Sequence, residues 1–145
     1  MATLQDDLQK VLEINERFYR AFESLDMHRM EEVWAKGSHV TCIHPGWNLF
    51  RGWDAVKASW EAIFKNTETI WFTLSDVKVE LKGSLAWVVL MENILSETEE
   101  GLSATSILAT NIFEKVDGQW LIIHHHASHI FASHVQFAPG SSTVH

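Results

Sequence analysis

Hydrophobic periodicity changes once along this chain, near residue 70, and that change restricts the folds open to it. Before it, apolar residues recur every three or four positions in three segments. After it come four long runs rich in branched and aromatic side chains, separated by short breaks that contain Gly or acidic residues. Helices first and strands afterwards indicate an α+β domain whose helices cover a mainly antiparallel sheet.

Thr3 and Asp6 form a capping pair ahead of Leu4, Leu8, Val11, Leu12, Phe18 and Phe22, which predicts an amphipathic helix over 3–24. Asp26 caps a second, shorter helix in which Met27, Met30, Val33 and Trp34 share a face, and Gly37 ends it. His39 to His44 reads as a strand entering a Pro45-Gly46 turn, followed by a loop through Trp47, Asn48 and Phe50. A third helix runs from Gly52 to about Lys65 on Val56, Trp60, Ile63 and Phe64, with Asp54 as a cap in its first turn and Asn66 as its stop.

The strands are predicted at 70–81, 85–95, 102–116 and 119–131. Asp117-Gly118 is a two-residue hairpin signal that makes the last two strands neighbours. Leu85 to Met91 and Trp120 to Ile123 lack apolar/polar alternation, which requires cover on both faces. Three helices cover one face only. A second copy of the chain is the expected cover for the other, so the expectation is a homodimer through the outer sheet face.

At 145 residues the chain holds one domain, expected over 1–133, with a loosely held tail over 134–145 that contains Pro139 and Gly140. No apolar run reaches the length of a membrane span and no signal peptide is evident, so a cytoplasmic protein without a membrane partner is expected. The excess of 19 acidic over 11 basic residues argues against nucleic acid. Cys42, the lone cysteine, excludes an internal disulfide and reads as buried and inert. Seven Trp and eight Phe against one Tyr must fill a core, an interface or an apolar pocket.

Three segments carry a resemblance. They are Thr41-Cys42-Ile43-His44-Pro45 followed by Gly52-Trp53-Asp54, then Ala109-Thr110-Asn111-Ile112-Phe113, then Gly118-Gln119-Trp120 running into His124-His125-His126-Ala127-Ser128. Together they resemble the SnoaL-like branch of the nuclear transport factor 2-like superfamily, and also the association domain of calcium/calmodulin-dependent protein kinase II. The resemblance implies a cone-shaped α+β barrel in which the three N-terminal helices pack on a strongly curved sheet. It also implies that the pocket arginines of the kinase association domain correspond here to Val89, Asn111 and Ala127, so a neutral, partly apolar ligand is expected in place of an acidic one.

The same mapping puts Trp87, Val89, Met91, Asn93, Asn111, His125 and Ala127 on the concave face, with His124, His126 and Ser128 opposite. Tyr19, Trp47 and Trp60 are further ligand-wall candidates, although Trp60, like Trp34, also suits a plain core. His44, His125 and His126 are the candidate acid/base residues, because an imidazole with a pKa of about 6.5 suits proton transfer near neutrality. His124 and His126 share a face and could bind zinc if His44 approached, but structural imidazoles are the preferred reading, so neither metal nor cofactor is expected. Glu92 is expected on the dimer side with Thr110 and His126 as a satisfied polar network. The leading function is small-molecule binding, or cofactor-free isomerase, dehydratase or cyclase chemistry. The rival is a non-enzymatic module for oligomerisation or partner docking.

Overall fold

The computed structural model describes residues 2–130. Helix α1 (Leu4–Ser24) starts on a reciprocal box in which the Asp6 amide donates to Thr3 Oγ1 (3.0 Å) and the Thr3 amide to Asp6 Oδ2 (3.2 Å). Helix α2 (Met27–Val33) is capped by Asp26, which accepts from the His28 amide at 2.9 Å. Strands β1 (Thr41–Ile43) and β2 (Leu49–Arg51) precede helix α3 (Trp53–Lys65). Four long strands follow: β3 (Thr69–Lys82), β4 (Leu85–Thr98), β5 (Gly101–Val116) and β6 (Gln119–His129).

The three helices lie on an open six-stranded sheet ordered β2-β1-β6-β5-β4-β3. Every neighbouring pair is antiparallel except β1 with β6. Asp117 (φ 52°) and Gly118 (φ 78°) both take positive φ between β5 and β6, the geometry of a turn whose twist suits a tight hairpin. Irregularities at Ser75/Lys78 and at Ile112/Phe113 interrupt the ladders and bend the sheet around the helices. In the first turn of α1, Asp7 Oδ1 accepts from Lys115 Nζ and Trp120 Nε1, both at 3.0 Å, and so fastens the helix to the β5–β6 hairpin.

Three boundaries differ from the sequence expectations for tertiary reasons. α2 stops at Val33, well before Gly37, because Trp34 turns extended to bridge Ile122 and the Ala35 amide donates to the Ile122 carbonyl. The expected loop after Trp47 contains β2, which closes antiparallel on β1. α3 is capped by Gly52 with no side-chain bond, so Asp54 is not its cap; it remains an acidic residue in the first turn, where the helix dipole favours it. Phe131 and the tail over 134–145 lie outside the described residues.

Strand parity decides which side chains face the helices. On β4 they are Ala86, Val88, Leu90 and Glu92, all buried, so Trp87, Val89, Met91 and Asn93 face outward and the expected concave placement of these four is corrected. The reason lies in the register: Val88, not Val89, pairs with the buried Asn111, and directly paired residues share a face. The expected grouping of Glu92 with Thr110 and His126 fails for the same reason. Thr110 and His126 pair on the outer side while Glu92 points in. On β6 the irregularity beside Ile123 shifts parity by one, so Ile122, His125 and Ala127 all face the core.

The core between helices and sheet is dominated by Phe18, Trp34, Trp60, Leu90, Phe113 and Ile122. Among the described residues nothing covers the outer face: Trp71, Val89, Leu95 and Leu108 are each 41–51 % exposed. Beside them runs a groove of about 970 Å³ flanked by Trp71, Met91, Asn93, Leu95, Ser106 and His129. Among the described residues no helix is long and apolar enough to cross a membrane.

Gly118→Ala is expected to cost about 1 kcal/mol, because a Cβ at that positive φ is strained. In urea unfolding this appears as a lower midpoint with an unchanged slope.

Candidate functional site

A chain of buried polar side chains crosses the interior of the cone. His125 Nδ1 lies 2.6 Å from Asn111 Oδ1; Asn111 Nδ2 donates to Asn15 Oδ1 (2.9 Å) and to the Tyr19 hydroxyl oxygen (3.1 Å); Tyr19 donates to Glu92 Oε2 (2.6 Å). Four elements supply it: Asn15 and Tyr19 from α1, Glu92 from β4, Asn111 from β5 and His125 from β6. Asn15 and Tyr19 stand one helical turn apart and so present their polar atoms to the same strand.

His44 lies at the end of β1, where its Nε2 is 2.9 Å from Ser59 Oγ of α3. Ser59 gives its own proton to the Val56 carbonyl at 2.6 Å, so it accepts from His44 Nε2–H, and His44 Nδ1 carries the lone pair. The two imidazoles are neighbours, with ring centroids 6.2 Å apart, and the Trp60 indole lies 4.6 Å from His44 and 5.7 Å from His125. Phe18 closes on His125 at 4.9 Å. The indole N–H groups of Trp34 and Trp60 are buried without a hydrogen-bond partner among the described residues.

Trp47 is 43 % exposed and meets His44 edge to face at 5.2 Å. It also borders a recess of about 560 Å³ formed with Ala62, Ile63, Asn66, Glu99 and Glu100. His44 is therefore one aromatic layer from solvent.

Of the residues singled out from sequence, the structure gathers Tyr19, His44, Trp60, Asn111, His125 and Ala127 inside the cone and leaves Trp47 at its rim. His126 is excluded from this group, since it faces outward beside His124, whose Nδ1 lies 2.6 Å from Thr41 Oγ1. The zinc arrangement fails on geometry because His44 points inward and His124 and His126 point outward. Among the described residues no three potential ligands converge on a metal position. Asn15, Ser59 and the inward Glu92 were missed. The first two were detectable: Asn15 sits four residues after Val11 and Ser59 three after Val56, on stripes otherwise apolar.

Burial sets the electrostatics. It lowers the pKa of His44 to about 4 and that of His125 well below the ordinary value, so both rings are neutral near pH 7. Burial raises Glu92 to about 7, against the opposing hydrogen bond from Tyr19. The Tyr19 hydroxyl is pushed well up by burial and by the Glu92 charge, and burial likewise pushes up the Cys42 thiol, which stays protonated and inert.

Residues 11–133 match the family model of the SnoaL-like domain. A provisionally named dehydratase of the nuclear transport factor 2-like family from Streptomyces avermitilis is 34 % identical, covers 90 % of this chain and 100 % of its own, and superposes with a TM-score of 0.84. A provisionally named calcium/calmodulin-dependent protein kinase II association domain from Thiobacillus denitrificans is 29 % identical over 81 % of this chain and 92 % of its own, with a TM-score of 0.73. The F-box protein SKIP8 of Arabidopsis thaliana is 26 % identical over 118 residues, which is 81 % of this chain. The chain spans about half the length of that curated relative, 48 %.

The pH dependence of stability follows from these shifts. Glu92 has a folded pKa above its reference of 4.5, so its favourable contribution is complete below about 4.5 and is lost as pH rises through about 7. His44 has a folded pKa below its reference of 6.5, so its contribution is complete above about 6.5 and is lost as pH falls through about 4. Glu92→Gln removes the first term alone. The stability of this variant relative to the unmodified chain should rise by about 1–3 kcal/mol between pH 4.5 and pH 8, read from urea titrations at both values.

Proposed function

Because the chain belongs to the SnoaL-like family, we propose that it binds a small, neutral, partly apolar molecule at the His44–His125 end of its cone. One imidazole moves a proton on that molecule, as a cofactor-free isomerase, dehydratase or cyclase requires. The observation that carries this reading is the pair of buried, uncharged imidazoles 6.2 Å apart: His125 bonds Asn111 through Nδ1, and His44 bonds Ser59 through Nε2 with only the weak Cys42 thiol, 4.0 Å away, beside its Nδ1. Two neutral bases with a shared indole wall are more polarity than an aromatic core needs for packing. The unpartnered indole N–H groups of Trp34 and Trp60 add donors for a ligand carbonyl or hydroxyl.

The ligand class follows from charge. Among the described residues the buried polar side chains of the interior are Asn15, His44, Ser59, Glu92, Asn111 and His125, with no Lys or Arg, and Glu99 and Glu100 flank the recess at Trp47. A carboxylate or phosphate would enter past like charge and find no cation. The ligand reaches His44 when Trp47 swings aside. The name of the Streptomyces avermitilis relative, a dehydratase, is in keeping with this chemistry.

The exposed apolar outer face favours a second reading for that surface: a homodimer forms through it, and an assembly or docking role alone would need only this face. The outward Val89 and Leu108 sit in that face. Val89→Lys with Leu108→Lys is expected to convert dimer to monomer in sedimentation velocity; a monomeric unmodified chain contradicts the interface.

Native mass spectrometry of the purified chain, alone and after exposure to a library of neutral ketones, enones and alcohols, tests the pocket. The expected result is a bound neutral molecule whose affinity falls at least about tenfold in His44→Gln, one buried hydrogen bond's worth, with little change in melting temperature. Absence of any bound species, or binding indifferent to His44, overturns the reading.

A further inference from the structure

The buried chain is directional, and its direction is imposed from one end. An ionised carboxylate only accepts hydrogen bonds, so Glu92 takes the single Tyr19 proton at 2.6 Å. With its proton committed, Tyr19 can only accept from Asn111, which obliges the Asn111 nitrogen to face it at 3.1 Å. The second Asn111 proton goes to Asn15 Oδ1 at 2.9 Å, and the Asn111 oxygen is thereby turned to His125 Nδ1 at 2.6 Å. That oxygen can only accept, so His125 must carry its proton on Nδ1. Its Nε2 is left with the lone pair.

We propose that Glu92, Tyr19 and Asn111 are positioning residues that lock His125 as the Nδ1–H tautomer, so that Nε2 is the nitrogen the cone presents as a base. This assignment rests on the proposed acid/base use of His125 for its significance, but the tautomer itself is a property of the unliganded chain. Every link is buried, so no water competes for these atoms, and each group has one role left once its neighbour has chosen. A group at the start of the chain that can either donate or accept removes the obligation. Tyr19 can then reverse, Asn111 can turn over, and His125 can hold its proton on Nε2 with Nδ1 accepting.

The groups that surround the chain do not supply a rival bias. Cys42 of β1 remains a neutral thiol and Tyr19 of α1 a neutral phenol, while burial lowers the pKa of His44 to about 4 and that of His125 well below the ordinary value, so both rings are neutral at pH 8.5. His124 lies on the same strand as His125 but faces outward, and its pKa is lowered by burial and by His126. At pH 8.5 Glu92 is the buried group that carries charge in this network.

The experiment is two-bond proton–nitrogen correlation NMR of the full chain with 15N-labelled histidine at pH 8.5, with His125 assigned by His125→Gln. The unmodified chain is expected to show the Nδ1–H pattern for His125. In Glu92→Gln, whose amide permits either direction, and in Tyr19→Phe, which cuts the chain, the ratio of Nδ1–H to Nε2–H forms is expected to fall by about tenfold, the bias of one buried hydrogen bond. Asn111→Asp, which restores an obligate acceptor next to His125, should return the Nδ1–H form in the Glu92→Gln background. An Nε2–H pattern in the unmodified chain overturns the proposal, as does an Nδ1–H ratio unchanged in both Glu92→Gln and Tyr19→Phe. Failure of the functional reading shows separately, as a chain that binds no neutral molecule while its His125 tautomer is as stated.

Discussion

Asn111 is fully buried and commits three of its four hydrogen-bonding positions to three partners: Asn15 and Tyr19 on the first helix and His125 on the last strand. Through Tyr19 it also reaches Glu92 on the neighbouring strand. These contacts fix how far α1 is advanced along the sheet and which face of β4, β5 and β6 points toward it. Losing any one partner leaves a buried polar atom unsatisfied at a cost of about 1–3 kcal/mol, so the network specifies one docking of helix on sheet where aromatic packing alone would tolerate several.

An aromatic enclosure surrounds this network. Phe18, Phe72 and Trp60 surround the polar chain and keep it dry, and dryness is what lowers the histidine pKa values and raises that of Glu92. Both imidazoles are therefore neutral near pH 7. The buried polar chain thus spans the interior from Glu92 on β4 to His125 on β6, and only His44 lies directly behind Trp47. The opposite face of the sheet exposes apolar side chains, among them Trp71, Val89, Leu95 and Leu108.

Much of this architecture was legible in the sequence, because it rests on local rules. The Thr3/Asp6 box, the Asp26 cap and the Asp117-Gly118 turn each act within a few residues, and each is present. Asn111 and His125 were placed inward by the family resemblance, and both are buried on the helix side of their strands. β4 was misplaced by one residue, since its register depends on pairing with Asn111 across the sheet and no local signal fixes it. Trp34 left its helix for the same kind of reason, a bridge to Ile122 nearly ninety positions away. The partnership of Tyr19 with Glu92 was hidden by that misplaced strand, and Asn15 was overlooked as a polar break in an apolar stripe.

The account depends on a dry interior holding His44 and His125 uncharged. The most direct measurement is the 15N chemical shift of both rings across pH 5.5 to 8 in the unliganded chain. Neither ring is expected to titrate in that window, with His44 beginning to take up a proton only toward pH 4. A midpoint near 6.5 for either ring would mean that water reaches the cone, and the claim of a preformed neutral base would fail.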